Sequence, residues 1–203
     1  MGATDGWLNL WQRGDDGGPS VCGPIQVHNL LHPLFEPFGE GWGWTHSENP
    51  QSDIAALPLI GPPETDIANT YYFDSLNDSM ILPFDQAGLL PLGTETIMIG
   101  YPGGQPEPGT QYPQFLYGLT VERPAEQGGR PTDAVHIPTT QGSSGSPILV
   151  NKTGEPLQAA TWDSIAVLGV VHAIDDEFAI YVRAQEILML KQHLSEWLED
   201  FEW

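Results

Sequence analysis

Residues 142–147 read Gly-Ser-Ser-Gly-Ser-Pro, and the apolar residues Ile-Leu-Val follow directly. A serine hydroxyl becomes a nucleophile when a neighbouring base takes its proton. Glycine permits backbone conformations and close approaches that a side chain would prevent. The segment is therefore either a flexible turn without chemistry or a loop that brings the backbone close to a reacting group.

One arrangement that activates a serine is the strand–turn–helix nucleophile elbow, G-x-S-x-G. It requires a glycine two residues after the nucleophile and a helix immediately afterwards. For Ser144, the glycine position is occupied by Ser146. Pro147 and the apolar run behind it are typical of the start of a strand. Both requirements fail, so the sequence excludes this arrangement.

The same six residues resemble the G-[D/N]-S-G-[G/S]-P motif of chymotrypsin-like serine peptidases, in the GxSGSP form that is usual in bacterial members. The resemblance implies that Ser144 attacks a peptide carbonyl and carries an acyl-enzyme intermediate. It also implies that two backbone N–H groups, those of Gly142 and Ser144, stabilise the oxyanion that this attack creates. Gly145 then lets the substrate pass close to the nucleophile.

A second segment, residues 53–59 (DIAALPL), is similar to the D-[IV]-A-[LV]-L stretch that carries the catalytic aspartate of this family. The resemblance makes Asp53 the residue that orients the catalytic imidazole and stabilises its charged form. An exposed residue at a strand start is the alternative for Asp53. Asp66 also precedes Ile-Ala, but Asn69 and Thr70 interrupt its apolar run, so Asp53 is favoured.

Two further segments resemble the family in the same order along the chain. Residues 97–103 (IMIGYPG) are similar to the strand that opens the second barrel in bacterial members, and residues 168–173 (LGVVHA) to the strand lining the primary specificity pocket. Glutamate-specific members bind the acidic side chain with a histidine and a nearby Thr or Ser. His172 and Thr139 are therefore the expected substrate-binding residues, with a partly buried strand histidine as the alternative.

The family's mechanism also requires a histidine, because a neutral imidazole accepts a proton near pH 7. It lies in a T-x-x-H loop some tens of residues before the aspartate, and no such loop precedes Asp53. His28, His32 and His46 lie upstream but lack this pattern, so surface or turn histidines are expected. Their spacing and the single cysteine do not favour a metal site. The sequence therefore does not identify the general base, or this base lies in a segment before Met1.

Short apolar stretches alternate with Gly- and Pro-rich turns, which predicts an all-β fold. The expected strands are Trp7–Trp11, Pro24–Leu31, Asp53–Ile60, Thr94–Tyr101, Phe115–Glu122, Ala134–Ile137, Pro147–Asn151, Ile165–Ala173 and Phe178–Val182. Near the end of the chain, apolar residues from Ile187 to Phe201 recur at helical spacing. This pattern predicts one C-terminal helix with an apolar face.

The resemblance implies a chymotrypsin-like double β-barrel whose first barrel is incomplete. Residues 1–92 would form the N-terminal half with Asp53, and residues 93–183 the second barrel with the nucleophile loop. Residues 184–203 would form the C-terminal helix.

The charge of the chain restricts its partners. Of 203 residues, 27 are acidic and 6 basic, which gives a formal net charge of −21. Nucleic acid and anionic membrane surfaces both attract Lys and Arg, so neither is an expected partner, and the acidity is expected to solubilise the surface. No N-terminal signal peptide is visible, which leaves a cytoplasmic location or, with an upstream segment, secretion.

The resemblance implies a trypsin-like serine endopeptidase that hydrolyses a peptide or protein substrate without a cofactor. Turnover is expected to be impaired, because losing one triad member costs several orders of magnitude in rate. The alternative is a catalytically inactive protein of peptidase fold that binds a peptide or a protein partner.

Overall fold

A computed structural model of the protein describes residues 5–13, 19–28, 45–56, 71–72, 78–101, 113–121 and 132–199. The chain divides into two compact units. The first comprises Met1–Thr45, Ala55–Ser75 and Pro106–Gln111, and the second comprises His46–Ile54, Leu76–Gln105 and Tyr112–Trp203.

The first unit contains two long antiparallel strands, β1 (Asp5–Arg13) and β2 (Pro19–His28), which pair over most of their length. The short strands β3 (Thr45–His46) and β4 (Ala55–Ala56) form a separate two-stranded sheet, and the boundary between the two units falls within β3. A further short strand, β5 (Tyr71–Tyr72), pairs with the other side of β1. The resulting three-stranded sheet has the order β2-β1-β5.

The second unit is built on a closed barrel of six antiparallel strands. These are β6 (Glu95–Gly100), β7 (Gln114–Thr120), β8 (Thr132–His136), β9 (Pro147–Asn151), β10 (Ile165–Asp175) and β11 (Phe178–Arg183). The order around the barrel is β10-β11-β8-β7-β6-β9, and β9 pairs again with β10. Closure leaves no strand of this barrel with a free edge. The predicted β-rich fold with a barrel is confirmed at this level.

Every second residue of β6 and β8 is buried, because successive side chains of a strand point to opposite faces. The interior of the barrel is filled by apolar side chains from several strands. They include Met98, Val135, Ile137, Ile148, Val150, Val171, Ala179 and Tyr181.

The outward residues of β7 are unusual for a surface position. Phe115, Tyr117 and Leu119 alternate along the strand and are 57%, 66% and 43% exposed. We call these three side chains the β7 apolar row. Leu119 lies opposite His136 on β8, and the His136 ring meets the ring of Phe178 edge to face at 5.8 Å.

Helices close the second unit around the barrel. The short helix α1 (Phe84–Ala87) follows a segment in which the Leu82 N–H donates to the Val167 carbonyl of β10 at 3.0 Å. Helix α2 (Ala184–Glu199) begins directly after β11 and buries Ala184 and Leu190. The predicted C-terminal helix is therefore confirmed. None of the helices in the described ranges combines the length and the hydropathy of a membrane span.

A nearly buried ion pair joins β8 to β11 and to α1. Arg183 donates to both carboxylate oxygens of Asp133, at 2.6 and 2.9 Å, and the two side chains are 14% and 4% exposed. The guanidinium carbon also lies 4.7 Å from the centre of the Phe84 ring. A bidentate pair of this kind fixes distance and orientation together. It therefore sets the junction between the barrel and the helices.

Replacing Asp133 should be far more damaging than replacing the acid of an exposed pair. We expect Asp133→Ala to lower the free energy of unfolding by about 3–5 kcal/mol, because it leaves a poorly solvated guanidinium without its partner. The matched control is Asp78→Ala, since the Asp78–Lys191 pair has side chains 63% and 55% exposed, and its loss should cost about 0–1 kcal/mol. Urea unfolding measures the free-energy loss in both variants. Equal losses would contradict the view that the Asp133–Arg183 pair contributes more to stability than the exposed pair.

Candidate functional site

The segment between β8 and β9 folds into two successive tight turns. The Ser143 N–H donates to the Thr140 carbonyl at 3.3 Å, and the Ser146 N–H donates to the Ser143 carbonyl at 3.1 Å. Gly142 has a φ of 99° and Gly145 a φ of 84°. These values lie in the left-handed region that L side chains avoid. The Gly/Ser composition therefore specifies a defined bend, and Ser144 is exposed on it while Ser143 and Ser146 are buried.

Strand β10 fixes this bend to the barrel. The Gly145 N–H donates to the Val171 carbonyl at 2.8 Å, and the Val171 N–H donates to the Ser146 carbonyl at 2.9 Å. These bonds continue the pairing of β9 with β10, which reaches Pro147 opposite Val170. The bend is therefore held as an extension of the sheet.

The backbone N–H groups of the bend divide into two sets. Those of Ser143, Gly145 and Ser146 donate within the fold. Those of Gly142 and Ser144 donate to no acceptor in the part of the chain that the structure describes. Both are therefore available to an oxygen of a ligand, since an N–H group seeks an acceptor. They are the two groups predicted to stabilise an oxyanion, and that role stays a prediction.

Behind the exposed serine, a pair of hydroxyl groups connects the bend to the end of β8. The oxygens of Thr139 Oγ1 and Ser143 Oγ are 2.5 Å apart, and Ser143 is completely buried. A buried hydroxyl needs a partner, so this bond satisfies Ser143. The Thr139 hydroxyl thus contacts the loop itself, while its predicted contact with substrate stays a prediction.

His172 connects the two predicted catalytic residues, although the sequence suggested a different role for it. Its carbonyl oxygen accepts a hydrogen bond from the Ser144 hydroxyl at 3.4 Å. Its Nδ1 lies 3.6 Å from a carboxylate oxygen of Asp53, a charge contact beyond hydrogen-bond distance. The pairing of β10 with β11 shifts register between Val171 and Ala173, around His172. Bulges of this kind often re-aim a side chain, and His172 lies at this one.

Asp53 is carried by a short loop that is tied to itself and to α2. The Ser47 N–H donates to the Ile54 carbonyl at 3.1 Å and closes the loop. The Ser47 hydroxyl contacts the largely buried carboxylate of Glu186 at 3.5 Å. The Asp53 carboxylate itself is 84% exposed, and the His172 side chain is 27% exposed. The aspartate is therefore more hydrated than an orienting carboxylate in a closed site would be.

The structure thus brings together Ser144, Asp53 and His172, and places Thr139 behind the bend. No imidazole among the described side chains donates to or accepts from the Ser144 hydroxyl. His28 and His46 end β2 and β3, but their side chains, and all of His32, lie outside the described residues. Asp66 and its neighbours Asn69 and Thr70 also lie outside them. Within the described residues, no group of three or more His, Cys, Asp or Glu side chains is arranged to hold a metal ion.

One residue that supports the bend was not predicted. Gly100 ends β6, and a Cβ atom there would lie 1.9 Å from the Ser146 hydroxyl oxygen and 2.9 Å from the Ser146 Cβ. The signal was present in the sequence, because a glycine inside a strand often marks a close approach. Gly100 therefore matters to the site through the space that it leaves for Ser146.

Adding one methyl group at Gly100 should disturb the bend. We expect Gly100→Ala to lower the free energy of unfolding by about 1–3 kcal/mol, because Ser146 is buried and must move. Gly88→Ala is the matched control. Its Cβ would lie at ordinary contact distances of 3.5 and 3.6 Å, and its φ of −64° suits alanine. The control should change stability by no more than about 1 kcal/mol, and similar losses in both variants would be inconsistent with this packing.

The hydroxyl pair behind the bend should also be measurable. Thr139→Val removes the partner of a buried hydroxyl and should lower the free energy of unfolding by about 1–3 kcal/mol. Thr139→Ser retains the hydroxyl and should lose less than Thr139→Val. Thermal and urea unfolding of the two variants test this order, and a valine variant as stable as the serine variant would argue against the bond.

The chain matches no protein-family model, and it shows no significant similarity to a curated protein or to a solved structure.

Proposed function

We propose that the chain is a serine endopeptidase of the chymotrypsin-like class, in which Ser144 forms an acyl-enzyme with a peptide or protein substrate. The observation that carries this proposal is the bend around Ser144. It presents an exposed hydroxyl on Ser144, and the N–H groups of Gly142 and Ser144 in the same bend have no acceptor in the described part of the chain. A flexible linker would not need two glycines with positive φ, or backbone hydrogen bonds to β10.

The chemistry requires each of these parts. The Ser144 oxygen would attack the carbonyl carbon of a peptide bond, and the electron pair of that carbonyl would move onto its oxygen. The N–H groups of Gly142 and Ser144 would receive this oxyanion. An oxyanion hole and substrate binding without a complete triad still retain a rate advantage of about 10³–10⁴ over water.

The double-barrel arrangement belongs to the same proposal. The closed six-stranded barrel would be the second barrel, and residues 1–92 would contribute part of the first. Support comes from the order of the elements, since the nucleophile loop lies between β8 and β9 and a helix follows the last strand. The net charge of −21 favours a peptide over a nucleic acid as the molecule that is bound.

A second candidate function is peptide binding without cleavage, and two observations favour it. The Ser144 hydroxyl donates to a backbone carbonyl, which does not activate it as a nucleophile. The Asp53 carboxylate is 84% exposed. A protein with this site would hold a peptide carbonyl with the N–H groups of Gly142 and Ser144, which have no acceptor among the described residues.

A fluorophosphonate probe separates the two candidates, because it reacts with activated serines and leaves unactivated ones unmodified. We expect one probe per chain, attached at Ser144. Ser144→Ala should abolish labelling. Ser143→Ala should leave the site of labelling at Ser144, since the Ser143 hydroxyl is buried. Intact-mass and peptide-mapping mass spectrometry measure the result.

The opposite result has a definite meaning. An unlabelled Ser144 in a folded protein would reject the peptidase. Peptide binding by that folded, unlabelled protein would support the second candidate.

A further inference from the structure

His172 is the point at which two distant parts of the sequence meet. The loop that carries Asp53 reaches its ring, and the bend that carries Ser144 reaches its carbonyl. The family resemblance assigned His172 to substrate binding and left the general base unidentified. The contacts of His172 favour a role in activating Ser144 instead.

We infer that His172, oriented by Asp53, is the general base that takes the proton of Ser144. This inference rests on the proposed function and adds to it the residue that activates the nucleophile. A carboxylate beside Nδ1 favours the tautomer that carries its proton there. The other ring nitrogen, Nε2, then carries the lone pair, and no described residue forms a hydrogen bond or ion pair with it. This is the tautomer that a general base needs.

The proposed step is balanced with groups already in the chain. As the Ser144 oxygen bonds to the substrate carbonyl carbon, its proton moves to Nε2 of His172. The imidazolium so formed lies beside the Asp53 carboxylate, and it returns the proton to the nitrogen of the leaving amine when the peptide bond breaks. A water molecule then attacks the acyl carbon while the same nitrogen accepts its proton. This proton passes to the Ser144 oxygen as the ester bond breaks and the new carboxyl group of the product leaves.

One rotation must precede the step. The Ser144 hydroxyl donates to the His172 carbonyl at 3.4 Å, a long and weak bond. Rotation about the Cα–Cβ bond of an exposed serine releases it. We take the present geometry as that of a resting site, because catalytic hydrogen bonds are often loose before substrate binds.

The order of the groups along the chain becomes aspartate, serine, histidine. Triads with the same geometry occur in several unrelated chain orders, because only the spatial arrangement matters to the reaction. A base on β10 therefore needs no T-x-x-H loop before Asp53.

The barrel provides a matched control for His172. His136 also pairs with a carboxylate, that of Glu177, at 3.2 Å, and it is 44% exposed. In the described part of the chain it makes no contact with Ser144. Its removal changes the same kinds of groups on the same barrel without touching the nucleophile.

The test is the rate of fluorophosphonate labelling at Ser144 in the full chain. We expect His172→Ala to lower this rate by about 100-fold or more, the usual effect of losing a general base. Added imidazole should restore part of the lost rate in His172→Ala, and should not accelerate the wild type. Asp53→Asn should lower the rate less than His172→Ala, and His136→Ala should leave it unchanged. Thermal unfolding confirms that each variant is folded.

The outcomes separate the two proposals. Labelling of Ser144 at the same rate in wild type and His172→Ala overturns the role of His172 and leaves the peptidase in place. A folded wild type that is not labelled at Ser144 overturns the peptidase, and the base with it. If His172→Ala fails to fold, His172→Gln replaces it. This variant preserves a polar side chain without a base, and undiminished labelling in it also overturns the inference.

Discussion

The site depends on two hydrogen bonds between the serine bend and β10. The Gly145 N–H and the Ser146 carbonyl both pair with Val171. They occupy the backbone groups on one side of the bend and leave the Gly142 and Ser144 N–H groups without acceptors in the described residues. Without this ladder the two glycines would allow many conformations, and ordering them would cost conformational entropy. The pairing thus converts a flexible composition into one defined arrangement.

The same strand supplies the other half of the site. The register of β10 breaks around His172, so one residue faces the aspartate loop with its ring and the serine bend with its carbonyl. Bulges are over-represented where a strand must deliver a side chain to a site. The barrel fixes the position of β10 at the site, because β10 pairs with β9 on one side and with β11 on the other.

Much of the barrel could be predicted from the sequence, since the strand signal depends on local composition. The prediction of Pro147–Asn151 matches β9 residue for residue, and Phe178–Val182 differs from β11 by one residue. The strand expected at Ala134–Ile137 lies at Thr132–His136, a displacement at its ends that reflects pairing with β11. Thr94–Tyr101 contains β6 with one extra residue at each end. Side-chain alternation and turn residues suffice at this level.

The site was predictable only as a set of residues. Ser144, Gly142, Asp53, Thr139 and His172 were all named from motifs, but no motif specifies which of them touch. The contact of Asp53 with His172 depends on a bulge, and a one-residue irregularity leaves no periodic signal. The partnership of Thr139 with Ser143 depends on burial, which is decided by neighbouring strands.

The β7 apolar row has a consequence for how the molecule behaves in solution. Because the barrel is closed, Phe115, Tyr117 and Leu119 cannot recruit another strand edge to edge, and any encounter with them must be flat against the sheet. Mutual repulsion between chains of charge −21 opposes such encounters. Dissolved salt screens this repulsion, whereas it does not screen the hydrophobic attraction between apolar side chains. The ionic strength of the solution therefore controls whether two molecules stay separate or associate through this row.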